Sequence, residues 1–522
     1  MQAKLFSACM QGLNALPVTI EVDTDERSST PHFSIVGLPD SAVKESQERV
    51  QAAVRAQGFT LPPRSTVVNL APADVRKEGS GFDLPMALGY MITIGYLQVG
   101  NLSRFMFVGE LSLDGSIQPV RGALPIAIMA RAQKYEALFV PEANAREAAV
   151  VDTLKVYGVS HLNDVISILH GQTFIQPTEV NTREEFYAQQ QHFSYDFDEV
   201  KGQENVKRAF EVAAAGGHNI ILIGSPGCGK SMMAKRLPSI LPPLSLAESL
   251  ETTQIHSVAG KLQRDSTLVS QRPFRSPHHT ISDVALVGGG NTFMPGEICL
   301  AHNGVLFLDE LPEFSRSVLE TLRQPLEDRV ITISRAKYTF TLPCSFMLVA
   351  SMNPCPCGWH HHPTHQCSCT PAQIQRYMSK ISGPLMDRID IQVEVESVPF
   401  DDMARAPKGE PSAVIRDRVV RARKIQEERY RSLPAGEGGQ GRIHCNAQMN
   451  TAMLQKYAAL DDASLQRLRD AMRRLNLSAR AYDRILKVAR TIADLEASEH
   501  IQSHHIAEAI GYRNLDREGW TE

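Results

Sequence analysis

The chain has 522 residues, 43% of them apolar and 21% charged, with a formal net charge of −4. That length holds about three domains of ordinary globular composition, and the charge excludes a globally basic nucleic-acid binder, so any such surface must be local. The longest apolar stretch, around Leu84 to Leu97, carries Pro and Gly and is too short to span a bilayer, which takes about 20 residues. The start of the chain, MQAKLFSACMQGLN, lacks the basic-then-apolar layout of a signal peptide, and nine cysteines, an odd number, fit reduced thiols or a metal site better than a disulfide framework. The chain therefore reads as cytoplasmic, with no membrane partner.

Residues 1–171 read as an α/β unit. Val18–Val22 and His32–Val36 alternate as strands do, and Ser41–Gln57 has helical spacing with Val43, Val50 and Val54 on its apolar side. Residues 172–197 are polar and without period, and read as a linker. A run of apolar residues then ends in Gly224 within NIILIGSPGCGKS, Asn219–Ser231. This is a strand feeding a phosphate-binding loop, Gly224-Ser225-Pro226-Gly227-Cys228-Gly229-Lys230-Ser231, with a helix starting at Gly229–Lys230. Gly224, Gly227 and Gly229 let backbone N–H groups turn toward phosphate oxygens, Lys230 reaches the β- and γ-phosphates, and Ser231 offers a hydroxyl to Mg²⁺. Cys228 is a small packing residue there, open to oxidation.

About eighty residues on, GVLFLDE (Gly304–Glu310) is a buried strand ending in two carboxylates. Asp309 suits Mg²⁺, and Glu310 suits the general base for an attacking water. Residues 329–342, RVITISRAKYTFTL, hold two β-rich runs around Ser334–Lys337 and predict a hairpin. A third apolar strand, Phe346–Ala350, leads to Asn353, an amide able to hold the γ-phosphate and the water in line. The core spans 198–398; 399–444 is a helical and linker segment broken at Pro399–Pro411 and Pro434–Gly441, and 445–522 reads as amphipathic helices.

Cys355, Cys357, Cys367 and Cys369 make C-x-C-x9-C-x-C directly after Asn353, with His360, His361, His362 and His365 between them. Four thiolates close a tetrahedral structural Zn²⁺ site; the alternative is a loop of reduced cysteines without metal. His278 and His279 in SPHHT are adjacent and point apart on most backbones, which favours contact with a neighbouring subunit or DNA over a metal. Arg416–Arg431 holds seven basic and three acidic residues, a solvated or subunit-facing helix or a secondary DNA contact.

Val200, Gly202 and Gln203, in DEVKGQENVKRAF, resemble the adenine-seating motif of AAA+ ATPases. The hairpin before the sensor strand resembles the group that contains magnesium-chelatase ATPase subunits and MCM helicases. Over its whole length the chain resembles the YifB/ComM family of magnesium-chelatase-like AAA+ ATPases, through NLAPADVRKEGSGFDLPMAL, RPFRSPHHT, PGEICLAHNGVLFLDELPEF and LSARAYDRILKVARTIADLE. The resemblance implies an α/β fold in three parts: a Lon-protease-like N-terminal domain, an AAA+ core with a parallel sheet, and a C-terminal helical lid. It implies ATP and Mg²⁺ as cofactors and a homo-hexamer acting on single-stranded, double-stranded and branched DNA. Such a motor would drive branch migration in homologous recombination during natural transformation, alongside recombinase or competence factors. It further implies Arg388 as the arginine finger given to a neighbour, ahead of Arg376, and Arg480 as second sensor, with Arg484 and Arg490 on roughly the same helix face. Arg335 and Lys337 at the hairpin tip are the implied DNA contacts, sequence-independent and salt-sensitive.

Two stretches, 70–89 and 106–141, resemble the Lon protease domain, but Gly81 falls at the nucleophile position and Pro125 at the lysine position, so proteolysis is not expected. An assembly ring or DNA-guiding collar is the remaining role. The rival readings are a chelatase-like ATPase subunit or remodelling factor not acting on DNA, and a non-enzymatic scaffold.

Overall fold

The computed structural model describes residues 2–172, 175–190, 193–263, 266–290, 293–335, 338–360, 362, 364–397, 408–431, 443–475 and 477–513. Contacts divide the chain into two compact units: Met1–Gln190 with Leu246–Ser270 and Gly290–Pro295, and Gln191–Ser245 with Gln271–Gly289 and Gly296–Glu522.

In the N-terminal unit, β1 (Gln2–Gln11) and β2 (Asn14–Asp25) form a long antiparallel pair, joined by β4 (Ser65–Ala71) and then β3 (His32–Val36), which runs parallel to β4. Leu5, Val18, Ile20 and Val22 fill the inner face, where alternation places them. The helix Ser41–Ala56 starts where Asp40 accepts the Val43 N–H at 2.8 Å, and it buries Val43, Val50 and Val54 as its spacing predicts. The apolar run near Leu84 is the buried helix Asp83–Thr93. Gly89 lets it lie on the sheet, since a Cβ there would stand 2.6 Å from Val22 and 2.9 Å from Leu5. A second sheet, all parallel, orders β5 (Phe105–Phe107), β8 (Ala137–Pro141) and β9 (Lys155–Val159), while β6 (Glu110–Leu111) and β7 (Ile117–Gln118) make a short ribbon.

Residues 172–197, read as a linker, include the helix Thr182–Gln189, capped by Asn181. Only Phe186 of that helix is buried, too little to give a sequence period. The helix Leu246–Val258, inside the span read as the ATPase core, packs in the N-terminal unit, where Ser257 donates to the buried Glu147.

The second unit is built on a five-stranded parallel sheet ordered β11 (Phe274–Arg275), β12 (Val305–Leu308), β15 (Met347–Met352), β10 (Ile220–Gly224), β16 (Ile391–Val395). Its central strands read as continuous apolar runs because both faces are covered. The first of the long strands, β10, lies between the last two, so the chain reverses direction across the sheet beside it. In open α/β sheets that switch point, at the carboxyl ends of the strands, is where ligands bind. Between β12 and β15 the chain leaves the sheet as the predicted hairpin: β13 (Val330–Arg335) pairs with β14 (Tyr338–Pro343), from Val330↔Pro343 to Arg335↔Tyr338. Arg335 closes β13, and Lys337 lies outside the described residues.

Helices Ser412–Tyr430, Thr451–Tyr457, Asp462–Arg474, Ala479–Leu495 and Ser503–Gly511 complete this unit, and their apolar faces join the sheet's own core. The basic helix Ser412–Tyr430 spends much of its charge within the chain. Arg418 binds Glu211 and Glu410, Arg429 binds Asp494, and Arg416 and Arg423 donate to the carbonyls of Ser239 and Ala214. Arg421 and Lys424 of this helix, and Arg431 after it, are exposed.

Candidate nucleotide-binding site

The fully buried strand β10 delivers the chain to the switch point at Gly224. Gly227 and Gly229 have φ of 80° and 92°, the left-handed region that only glycine enters freely. Gly224 serves differently from the expectation: it is absent from the positive-φ glycines, and a Cβ there would stand 2.3 Å from the Val395 carbonyl oxygen. It is glycine so that β10 can end tightly against β16. The helix Lys230–Arg236 begins at once after Gly229, placing its N-terminus beneath the loop.

Four of the sequence-selected residues meet here. The buried Lys230 ammonium donates to the carbonyls of Gly224 (2.7 Å) and Ser225 (2.9 Å) and to Oδ1 of Asn353 (3.2 Å). Cys228 Sγ lies 3.7 Å from the same nitrogen, and Pro226 packs against Gly358. The Ser231 hydroxyl donates to Asp309 Oδ2 at 2.6 Å. A hydroxyl and a carboxylate oxygen in contact are the hard donor pair that Mg²⁺ takes from a protein while keeping waters and phosphate oxygens for its other positions, so these residues fit that ion.

Two further residues were not legible in the sequence. Ser351, on β15 two residues before Asn353, donates to the other oxygen of Asp309 and fixes its carboxylate. His279 lies 3.7 Å from Glu310, with its ring 4.1 Å from that of His278 and edge-on to Phe314. The sequence reading sent this histidine to a neighbouring subunit or DNA; within its own chain it sits beside the candidate base. Glu310 itself is largely exposed and holds φ of 54°, a strained value for a residue with a side chain.

The adenine-motif residues open the helix Glu204–Gly216. Gly202 and Gln203 are left-handed at φ 65° and 61°, Val200 is buried, and the Gln203 amide donates to the carbonyl of Glu396 just past β16. The two arginines stand apart from this cluster. Arg388 pairs with Glu327 and donates to Pro384 O at 2.7 Å, while Arg480 donates to Asp387 at 2.9 Å. Arg484 instead binds Asp390 at 2.9 Å, and His218 holds the other oxygen of that carboxylate at 3.1 Å. Burial opposes the charge on Asp390, but Arg484 and His218 outweigh it and hold the carboxyl well below its ordinary range.

The four cysteines converge as their spacing suggested, all four sulfurs lying within 4.8 Å of one another. Burial works against ionising Cys357, yet the N–H groups of Trp359 and Ser368 bring its thiol down to about 5; burial pushes Cys369 up to about 12.

A parallel sheet with its strand order reversed at a glycine loop, an ammonium inside that loop and a hydroxyl–carboxylate pair beside it define the class: P-loop ATPases, whose cofactors are ATP and Mg²⁺. Comparison with known proteins narrows it. The family described as magnesium chelatase, subunit ChlI, matches residues 196–403; subunit ChlI of Mg-chelatase matches 20–144, and the ChlI C-terminal family matches 409–513. The competence protein ComM of Haemophilus influenzae is 42% identical over 518 residues, covering 99% of this chain and 98% of that one. The YifB protein of Salmonella typhimurium is 41% identical over 510 residues, 97% and 96% of the two chains. A magnesium-chelatase subunit ChlI of Chlorella vulgaris is 24% identical over 200 residues, 34% of this chain and 56% of that one. The chain belongs to the YifB/ComM family of magnesium-chelatase-like AAA+ ATPases. Among the described residues no helix is long and apolar enough to cross a membrane.

Proposed function

We propose that this ATPase is a hexameric DNA motor that moves branch points in three- or four-stranded DNA, serving recombination of incoming DNA in natural transformation. The observation that carries it is the place of the hairpin, inserted between the strand that ends at Asp309–Glu310 and the strand that leads to Asn353. Any change in how those residues grip nucleotide acts on the base of the hairpin. The name of the Haemophilus influenzae relative supplies the competence setting.

In the proposed cycle Lys230 leaves the loop carbonyls for the β- and γ-phosphates; Ser231 and Asp309 would hold Mg²⁺, which would offset phosphate charge. Glu310 accepts a proton from the attacking water as the γ-phosphorus–oxygen bond breaks, giving ADP and phosphate. Asn353 holds that water in line. Arg388 reaches the site of the next subunit, exchanging Glu327 for the γ-phosphate, and Arg480 acts from the lid. Arg335 and Lys337 then push on strand phosphates. The Lon-like reading of the N-terminal unit gives it a ring-building or DNA-guiding role. Ser80 donates to Glu110 and Lys77 to the carbonyls of Pro72 and Val75, so neither forms a nucleophile–base pair with the other.

The test is ATP-dependent branch migration on a labelled synthetic four-way junction, with Lys230→Ala and Lys337→Ala proteins alongside. The motor is supported by conversion to products that both variants lose while the Lys337 variant still forms rings. Assembled rings that hydrolyse ATP without conversion and without stimulation by DNA would move the chelatase-like reading, which the family's description favours, to the front.

A further inference from the structure

We propose that Cys355, Cys357, Cys367 and Cys369 bind a structural Zn²⁺, and that this ion clamps the loop after Asn353 onto the phosphate-binding loop. The cluster has the size the ion requires. A Zn–S bond of about 2.3 Å in a tetrahedron sets sulfurs about 3.8 Å apart. The observed separations are 3.3 Å for Cys355–Cys357, 3.5 Å for Cys357–Cys367 and 3.7 Å for Cys355–Cys367, with Cys369 inside the same 4.8 Å sphere. None of the four is in a disulfide, whose sulfurs would stand at about 2.05 Å. Four soft donors in a closed set suit Zn²⁺ over Mg²⁺, and they leave no open position for catalysis.

What the clamp holds follows from its neighbours. Cys355 is buried two residues after Asn353, whose amide oxygen accepts from Lys230. Gly358, at φ 85°, stands so close to the phosphate loop that a Cβ would meet Pro226 at 2.5 Å. His362 reaches Ser397 at 3.3 Å, and the Ser397 hydroxyl in turn lies 3.2 Å from that of Ser225. Beyond Cys369, Thr370 caps the helix Pro371–Met378. The loop thus touches the phosphate loop at Pro226 and, through Ser397, at Ser225, yet among its described residues only Pro354, Cys355 and Gly358 are buried, all of them small. Without a metal, little apolar burial opposes the entropy of so long a loop. With the metal, the loop is fixed at both ends, and Asn353 and Pro226 are held where nucleotide must meet them. Metal binding and nucleotide binding are then coupled.

The experiment measures metal content and nucleotide affinity on the full chain, purified without chelator or added zinc. Elemental analysis should give one zinc per chain, and Cys367→Ser/Cys369→Ser should lose it. Titration with a fluorescent ATP analogue should show that variant binding about tenfold more weakly, while far-ultraviolet circular dichroism stays that of the parent. Cys369→His, which keeps a zinc donor, should restore both the ion and the affinity. Zinc below a tenth of an equivalent in the parent, or iron in its place, overturns the site. A full equivalent of zinc whose loss leaves nucleotide affinity unchanged overturns the clamp. Both readouts are independent of DNA, so failure of the motor reading leaves them interpretable.

Discussion

The two units treat their polar residues differently. In the second, residues that follow three separate strands bond in two pairs, Lys230 with Asn353 and Ser231 with Asp309. In the N-terminal unit the polar groups near the Gly81 turn are tied up separately, Ser80 with Glu110 and Lys77 with backbone carbonyls. Pro125 is buried within the helix Ala123–Ala132. A site therefore shows itself by convergence of side chains from different elements, and chemistry-bearing residues that satisfy their own neighbourhood instead belong to the scaffold.

The sharpest way to break this contrast is to remove one group from each side. Glu310→Gln should lower ATP turnover by about 10²–10⁴-fold in a phosphate-release assay, within the span that general-base catalysis contributes. Ser80→Ala should leave turnover unchanged, and equal loss in both would erase the distinction. Next in size, Asp390→Ala strands Arg484 and the buried His218, and should destabilise the second unit by about 3–5 kcal/mol in denaturant titration. A change under about 1 kcal/mol would mean that water takes the place of the carboxylate. Smaller again, Gly89→Ala forces a methyl group against Val22 and Leu5 and should cost the N-terminal unit about 1–3 kcal/mol, read from its thermal midpoint.

The smallest effect separates the units by pH. Burial raises the carboxyl of Glu147, whose partners among the described residues are the neutral Leu124 N–H, Asn144 and Ser257. With its folded pKa above the ordinary value, its contribution is complete below about pH 4.3 and is lost as pH rises through the folded value. Asp390 is shifted down, so its contribution is complete above about pH 3.9 and is lost as pH falls through the folded value. Hydrogen exchange, corrected for intrinsic rates, should show the Leu124 amide better protected as acidification passes through the raised folded value of Glu147. The helix Ala479–Leu495 should lose protection only below about pH 4. Parallel behaviour of the two would refute the assignment of opposite shifts.

Much of this was legible because it is written locally. The string from Asn219 to Ser231 carries its own backbone geometry in Gly227 and Gly229, and the carboxylates Asp309–Glu310 and a hairpin around Ser334–Lys337, though not its register, follow from runs of apolar or alternating residues. The helix Ser41–Ala56 announced its buried face for the same reason. What stayed hidden is tertiary. Ser351 looks like any small residue in a buried strand until the sheet sets it beside Asp309. Nothing in SPHHT foretells a histidine beside Glu310. The helix Leu246–Val258 follows the phosphate-loop helix in sequence yet packs in the N-terminal unit, and its weakly amphipathic sequence gives no hint of it.

The hairpin can also be read as a lever. Six residues in each strand, at about 3.3 Å apiece, make an arm of about 20 Å. Tilting that arm by about 10° at its root sweeps its far end through about 3.5 Å, close to the spacing of about 3.4 Å between successive nucleotides of one strand. In the proposed motor, a rearrangement at Asp309 and Asn353 far smaller than a domain motion would be geared up to a stride of one base.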